Sequence, residues 1–263
     1  MRWTSRRGLA RAAWITTPLS FVLAFAATVW LAASAAPATA SLSALDTPVS
    51  FSGTPAVGAL FTTSDGQLGK HFCTASVVNS PAGNLLLTAA HCMKGYSDTT
   101  SPGIAFVPGY DNGAAPFGIW QVTRIFTDTS WAATADPDDD FAFLTVAQPG
   151  RSTPIQNVTG AENLGTGQPA TGLVRVIGYP DAQNQPVICQ NSTSMRSPTQ
   201  TRFDCDGYTN GTSGSPFLTG AGDQTVVGVI GGYQQGGDSP DVSYAAVFGP
   251  NMHALYDSSI AER

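Results

Sequence analysis

From residue 57 onward the chain is written in short apolar and β-branched runs, broken again and again by Gly, Pro, Asn and Asp. The runs include 57–61, 72–78, 85–88, 104–107, 120–126, 141–146, 173–177, 216–218, 226–230 and 244–248. Their spacing, together with 28 glycines, predicts an all-β sandwich or barrel. Helical periodicity enters only at the end, where Met252, Leu255, Tyr256 and Ile260 fall on one face after Pro250. A short docking helix is expected there, over about 251–260. Residues 147–168 carry Pro149-Gly150, Pro154 and Asn157 with little apolar periodicity, and read as a crossover between two halves.

The first 40 residues read as a signal peptide rather than as part of the fold. Arg2, Arg6, Arg7 and Arg11 form a basic start, an apolar stretch runs from about Ala12 to Ala36, and Ala38-Thr39-Ala40 is a small-residue cleavage site. The apolar stretch is long enough to be a retained anchor, but Thr16, Thr17, Pro18, Ser20 and Thr28 and the cleavage site favour removal. Ser5-Arg6-Arg7 hints at twin-arginine export. Residues 41–56, rich in Ser, Thr and Pro, read as a mobile lead-in or short propeptide.

The remaining chain keeps eight of 12 basic residues and all 18 acidic ones, a formal charge of −10. That argues against nucleic acid or an anionic membrane as partner. A secreted monomer is the default expectation. Four cysteines in an exported chain read as two disulfides. A zinc site is the alternative, but the spacings contain no C-x-x-C pair.

Three stretches carry chemistry. In Gly211-Thr212-Ser213-Gly214-Ser215-Pro216, Ser213 sits in a tight turn where glycines leave backbone N–H groups uncovered. A serine hydroxyl needs an adjacent base, and the oxyanion it creates needs preorganised donors. The N–H groups of Gly211 and Ser213 are the candidate donors. Leu85-Leu86-Leu87-Thr88-Ala89-Ala90-His91-Cys92 ends an apolar strand in small residues and a histidine. Asp140-Phe141-Ala142-Phe143-Leu144 opens an apolar strand with an aspartate.

In the order His, Asp, Ser, and in these contexts, the chain resembles the chymotrypsin/trypsin-like serine endopeptidases. His71-Phe72-Cys73, followed by a strand and Ala89-Ala90-His91-Cys92, is the most specific part of the likeness, which spans most of 57–256. The resemblance implies two packed six-stranded antiparallel barrels, about 57–146 and 169–250, with the site in the cleft between them. It implies a triad in which His91 takes the Ser213 proton and Asp140 orients His91. It also implies a Cys73–Cys92 disulfide, which leaves Cys189 with Cys205. The substrate would be a protein or peptide, and no cofactor or metal is implied.

Alternatives exist at each position. Of three histidines, His71 reads as packed and His253 as exposed on the terminal helix. Asp136, Asp138 and Asp139 read as a solvated acidic turn, with Asp139 the fallback for Asp140. A calcium loop there would lack the glycine and glutamate of an EF-hand. An α/β-hydrolase reading would take Ser213, Asp238 or Asp241, and His253, but places Ser215 where its elbow needs glycine. A protease-like binding protein that has lost activity would normally lack a triad member, and none is missing.

Thr212 departs from the family's zymogen pattern. An aspartate there would pair with a newly cut N-terminal amine, and a threonine cannot. In this the chain resembles the bacterial glutamyl-endopeptidase branch. The following strand, 226–233, has no histidine to read an acidic side chain, so glutamate specificity is not supported. By resemblance, Ile230, Gly231 and Gly232 line the substrate. Gly231 stands where a serine is usual and Gly232 where an aromatic is, which would open the cleft. The base of the specificity pocket falls near Gly207, and a one-residue slip would put Asp206 there.

Overall fold

The computed structural model describes residues 47–96 and 103–261. The expected signal peptide and the lead-in up to residue 46 lie outside the described residues. The first strands are β1 (Val49–Ser50), β2 (Val57–Ser64), β3 (Gln67–Val78), β4 (Leu85–Thr88), β5 (Ile104–Pro108), β6 (Trp120–Thr127) and β7 (Ala142–Ala147). Six of them close into an antiparallel barrel in the order β2-β3-β4-β7-β6-β5.

The strands β4 and β5 and most of β2 and β7 are buried on both faces, which explains their unbroken apolar runs. Leu60, Leu86, Phe106, Trp120, Val122 and Leu144 share one core. Their chain neighbours Phe61, Leu85, Leu87, Val107 and Phe143 belong to a second core. That second core also takes Ile177, Tyr179, Leu218 and Val226 from the other half of the chain, and Met252 and Leu255 from its end. Each fully buried Leu or Phe contributes about 1.5–3 kcal/mol.

The second half holds β8 (Asn163–Leu164), β9 (Leu173–Gly178), β10 (Val187–Ser192), β11 (Ser194–Ser197), β12 (Gln200–Asp204), β13 (Pro216–Thr219), β14 (Thr225–Val229) and β15 (Val242–Ala246). Together with β1 they form a six-stranded sheet, β1-β10-β9-β13-β14-β8, and a three-stranded sheet, β11-β12-β15. Both wrap one core of Val174, Val176, Cys189, Phe203, Phe217 and Ala245. The pairing is antiparallel except where the two-residue edge strand β8 runs parallel to β14. The architecture is thus the expected all-β, chymotrypsin-like one.

Three α-helices complete it among the described residues: α1 (Thr129–Thr134), α2 (Gln156–Thr159) and α3 (Pro250–Ala261). Proline at the first position of α3 suits a helix start, because its missing N–H would be unpaired there anyway. Met252 and Leu255 are buried, and Tyr256 donates its hydroxyl to the Asn79 carbonyl at 2.9 Å. Disulfides join Cys73 to Cys92 and Cys189 to Cys205.

Two stretches are more structured than their composition suggests. The latter part of the lead-in is docked: β1 pairs with β10, and Phe51 N–H donates to the Pro186 carbonyl at 3.2 Å. The crossover contains α2 and β8 and is stitched to the end of β3. There Glu162 N–H donates to Val77 at 2.8 Å, and Asn79 N–H to Glu162 at 2.9 Å.

Glu162 is buried in this seam, and burial pushes its carboxyl up from 4.5 to about 7, with the Asp223 carboxylate adding to the push. The unfolded chain releases this proton first, so the fold loses stability as pH rises from about 4.5 to about 7. Glu162→Gln is therefore expected to stabilise the protein by about 1–3 kcal/mol at pH 8 and to change little at pH 4. Denaturant titrations at the two pH values test this. No gain at pH 8 would show that the carboxyl ionises without cost.

Candidate active site

His91 sits on a single 3₁₀ turn, Ala90–Met93, directly after β4. Ala89 and Ala90 are small because they are fully enclosed, and the next residue, Cys92, is bonded to β3 through Cys73. Asp140 arrives by a second 3₁₀ turn, Pro137–Asp139, whose start is capped by Asp136 accepting the Asp138 N–H at 3.0 Å. The two turns meet. Asp140 Oδ1 accepts the His91 backbone N–H at 2.8 Å, and Oδ2 accepts His91 Nδ1 at 2.8 Å. A third donor, the Gly232 N–H, reaches Oδ2 at 2.8 Å from the other half of the chain. With Nδ1–H committed to the carboxylate, neutral His91 presents Nε2 as an acceptor.

The four carboxylates of the acidic turn are not equivalent. Asp139 is buried and accepts from Asn251 Nδ2 of α3 at 3.0 Å, so it is not the solvated residue expected. Burial pushes its carboxyl up, and the Asn251 bond opposes that. It faces α3 while Asp140 faces His91. His71 is buried edge-on to Phe61, with Nε2 3.2 Å from the Gln183 carbonyl, and burial lowers its basicity. His253 is exposed on α3, 3.9 Å from Asp257.

The Ser213 loop needs both of its glycines. Gly211 has φ +92°, and a Cβ there would strike the Asp181 N and Tyr179 carbonyl. Gly214 has φ +82°, and a Cβ would strike the Thr74 carbonyl and the Thr88 hydroxyl. The loop is seated on the first barrel by Thr74, which no motif in the sequence singles out. Thr74 N–H donates to the Ser213 carbonyl at 2.8 Å, and its hydroxyl to the Gly211 carbonyl at 3.0 Å. The signal was a polar residue inside a fully buried strand run. The N–H groups of Gly211 and Ser213 themselves have no acceptor among the described residues. Thr212 is buried, and its hydroxyl donates to the Thr209 carbonyl at 2.7 Å.

Ser213 lines a cavity of about 570 Å³, with Tyr208, Asn210, Thr212, Ile230 and Gln235 among its walls. Asp181 and Asp238 add acidic groups, and no Lys, Arg or His faces it among the described residues. Of the positions expected to meet the substrate, Ile230 is among the cavity's walls, and Gly207, Gly231 and Gly232 are outside them. At Gly207 φ is +86°, and a Cβ there would lie 2.9 Å from Pro48 Cγ of the docked lead-in. Asp206 is exposed and hydrogen-bonds Asp241, whose carboxyl is pushed up by that contact. Gly231 and Gly232 pack on the acid rather than lining the cavity: a Cβ on Gly231 would lie 2.9 Å from the Asp140 carbonyl. A second cavity, of about 540 Å³, lies against the His91 turn and shares Gln235 with the first.

One set of side chains has metal-ligand spacing among the described residues, Cys73, His91 and Cys92. Its two sulfurs are joined in the disulfide, so they are not available as thiolates.

Among solved structures the chain is similar to the protease Anisep from Arthrobacter nicotinovorans, at 23% identity and TM-score 0.67, covering 81% of this chain and 99% of that one. It is similar to AL20, a thermostable serine protease from an extremophilic microorganism, at 24% identity and TM-score 0.67, covering 80% and 99%. A Glu endopeptidase in complex with MPD gives 18% identity and TM-score 0.63, covering 82% and 98%. These likenesses speak for the fold. No curated protein matches the chain. The model of one family, the trypsin-like peptidase domain, matches residues 73–229, more than half of the chain and all of the stretch from His91 to Ser213. The chain therefore belongs to the trypsin-like peptidase domain family.

Proposed function

We propose that the protein is a secreted serine endopeptidase working through Ser213, His91 and Asp140. The observation that carries this reading is the Asp140 carboxylate, which holds His91 by Nδ1 and by its backbone N–H while the neighbouring Ser213 loop is seated on the same barrel. His91 Nε2 takes the Ser213 proton as Oγ attacks the peptide carbonyl carbon. The oxyanion is met by the Gly211 and Ser213 N–H groups. On collapse, the C–N bond breaks and the proton passes from His91 to the departing amine. Water then repeats the sequence on the acyl-enzyme, releasing the acid and restoring Ser213.

The cavity beside Ser213 takes the side chain that precedes the cut. With two carboxylates and no base among its described walls, it repels an acidic side chain. The local brace on Thr212 replaces the ion pair that would otherwise await a cut N-terminus. Two disulfides suit an oxidising compartment, and no helix among the described residues is long and apolar enough to cross a membrane.

A fluorophosphonate should label the mature protein stoichiometrically at Ser213, located by peptide mass mapping, and should not label Ser213→Ala. Asp140→Asn is expected to lower kcat by about 10⁴-fold, and His91→Ala by at least as much. Near-normal turnover in His91→Ala would sink the assignment. In a peptide library, substrates with Glu or Asp before the cut should be at least about tenfold poorer in kcat/KM than neutral ones. A preference for Glu would overturn the reading of the cavity. Acetylating or extending the N-terminus of the mature chain should leave kcat within about twofold. A loss beyond that would mean that a free chain end is needed after all.

A further inference from the structure

Asp140 precedes β7 and is presented by an irregular turn, so something outside that turn must fix its direction. Gln200, the first residue of β12, is placed to do so. It is 4% exposed, and it is the only fully buried glutamine among the described residues. Its amide nitrogen donates to the Pro137 carbonyl at 3.0 Å and to Asp138 Oδ1 at 2.7 Å. Its amide oxygen accepts the Tyr233 N–H at 2.9 Å. One side chain thus grips both the turn that presents Asp140 and the residue after Gly232, whose own N–H bonds Asp140. Gly232 has φ +75°, and a Cβ there would collide with the Gln200 amide oxygen, so the approach is as close as backbone allows. Gly231 offers no side-chain donor to Asp140, which makes the Gly232 N–H the only donor to the carboxylate from the second half among the described residues.

We propose that Gln200 is a positioning residue for catalysis, a clamp that holds the Asp140 turn and the Gly232 N–H in register and so aims the His91 ring. A buried amide costs free energy unless its hydrogen bonds are met, and here both of its ends are used on the two segments that flank the acid. The proposal rests on the assignment of Asp140 as the group that orients His91.

The test compares Gln200→Met, which keeps length and loses both ends of the clamp, with Gln200→Glu, which keeps the acceptor for Tyr233 and loses the donor to the turn. Both are expected to lower kcat by about 10- to 100-fold with KM within about threefold of the parent. Both should also shift or broaden the downfield proton resonance of His91 Nδ1–H. A folded Gln200→Met with parental kcat and an unchanged resonance overturns the proposal, whatever its thermal midpoint. A rise in KM alone also overturns it, because that would assign Gln200 to substrate binding. If Gln200→Met does not fold, Asp138→Ala removes only the half-exposed anchor. It should lower kcat by about three- to tenfold at constant KM, and no change overturns the clamp. Asp140→Asn separates the two readings. If it retains turnover, the triad assignment fails. If it is inactive while Gln200→Met is normal, only the clamp fails.

Discussion

The structure is built around one buried negative charge. The Asp140 side chain is fully shielded from water, a position that costs several kcal/mol unless donors replace the lost hydration. Three N–H groups do so, and they come from both halves of the chain: His91 twice from the first barrel and Gly232 from the second half. The contact that satisfies the charge is therefore also a contact that joins the halves. Losing the Gly232 donor would weaken the imidazole's orientation and the seam together. Thr74 repeats this arrangement on the serine side, with its backbone in the first barrel and its bonds on the Ser213 loop.

Close approach at this seam is made by residues with little or no side chain. Gly214 rests on the Thr74 carbonyl, Gly231 on the Asp140 carbonyl, and Ala89 lies beside Gly231. Glycine costs conformational entropy, and the chain accepts that cost where backbone must meet backbone. The apolar strands supply the opposing gain. In Leu85-Leu86-Leu87, alternate side chains enter different cores, so a three-residue run fills the barrel on one face and the seam on the other.

Much of this was readable in advance, for physical reasons. Buried strands leave apolar runs, turns leave glycine and proline, and the residues around His91, Asp140 and Ser213 are constrained enough to be distinctive. What was hidden depends on distant chain. Asp139 and Asp138 look alike in sequence, and only the arrival of Asn251 from α3 makes one of them buried. Gln200 reads as an ordinary polar strand residue, because its partners lie more than 30 positions away in either direction. Gly207 is packed against Pro48, a neighbour that arrives from the far end of the chain. The two-residue strand β1 is too short to show any alternation.

The core shared by both halves has a consequence for a protein that digests polypeptide. Every copy of such an enzyme is surrounded by potential substrate in the form of its neighbours, and a folded chain is cut mainly through segments that open transiently. Here Leu87 and Phe143 of the first barrel pack in one cluster with Ile177 and Val226 of the second half and Met252 of α3. Neither half can open without exposing that cluster, so opening either half carries the cost of unburying apolar surface in the other as well. The packing that brings the acid to the histidine is thus also packing that holds each half closed against its neighbours.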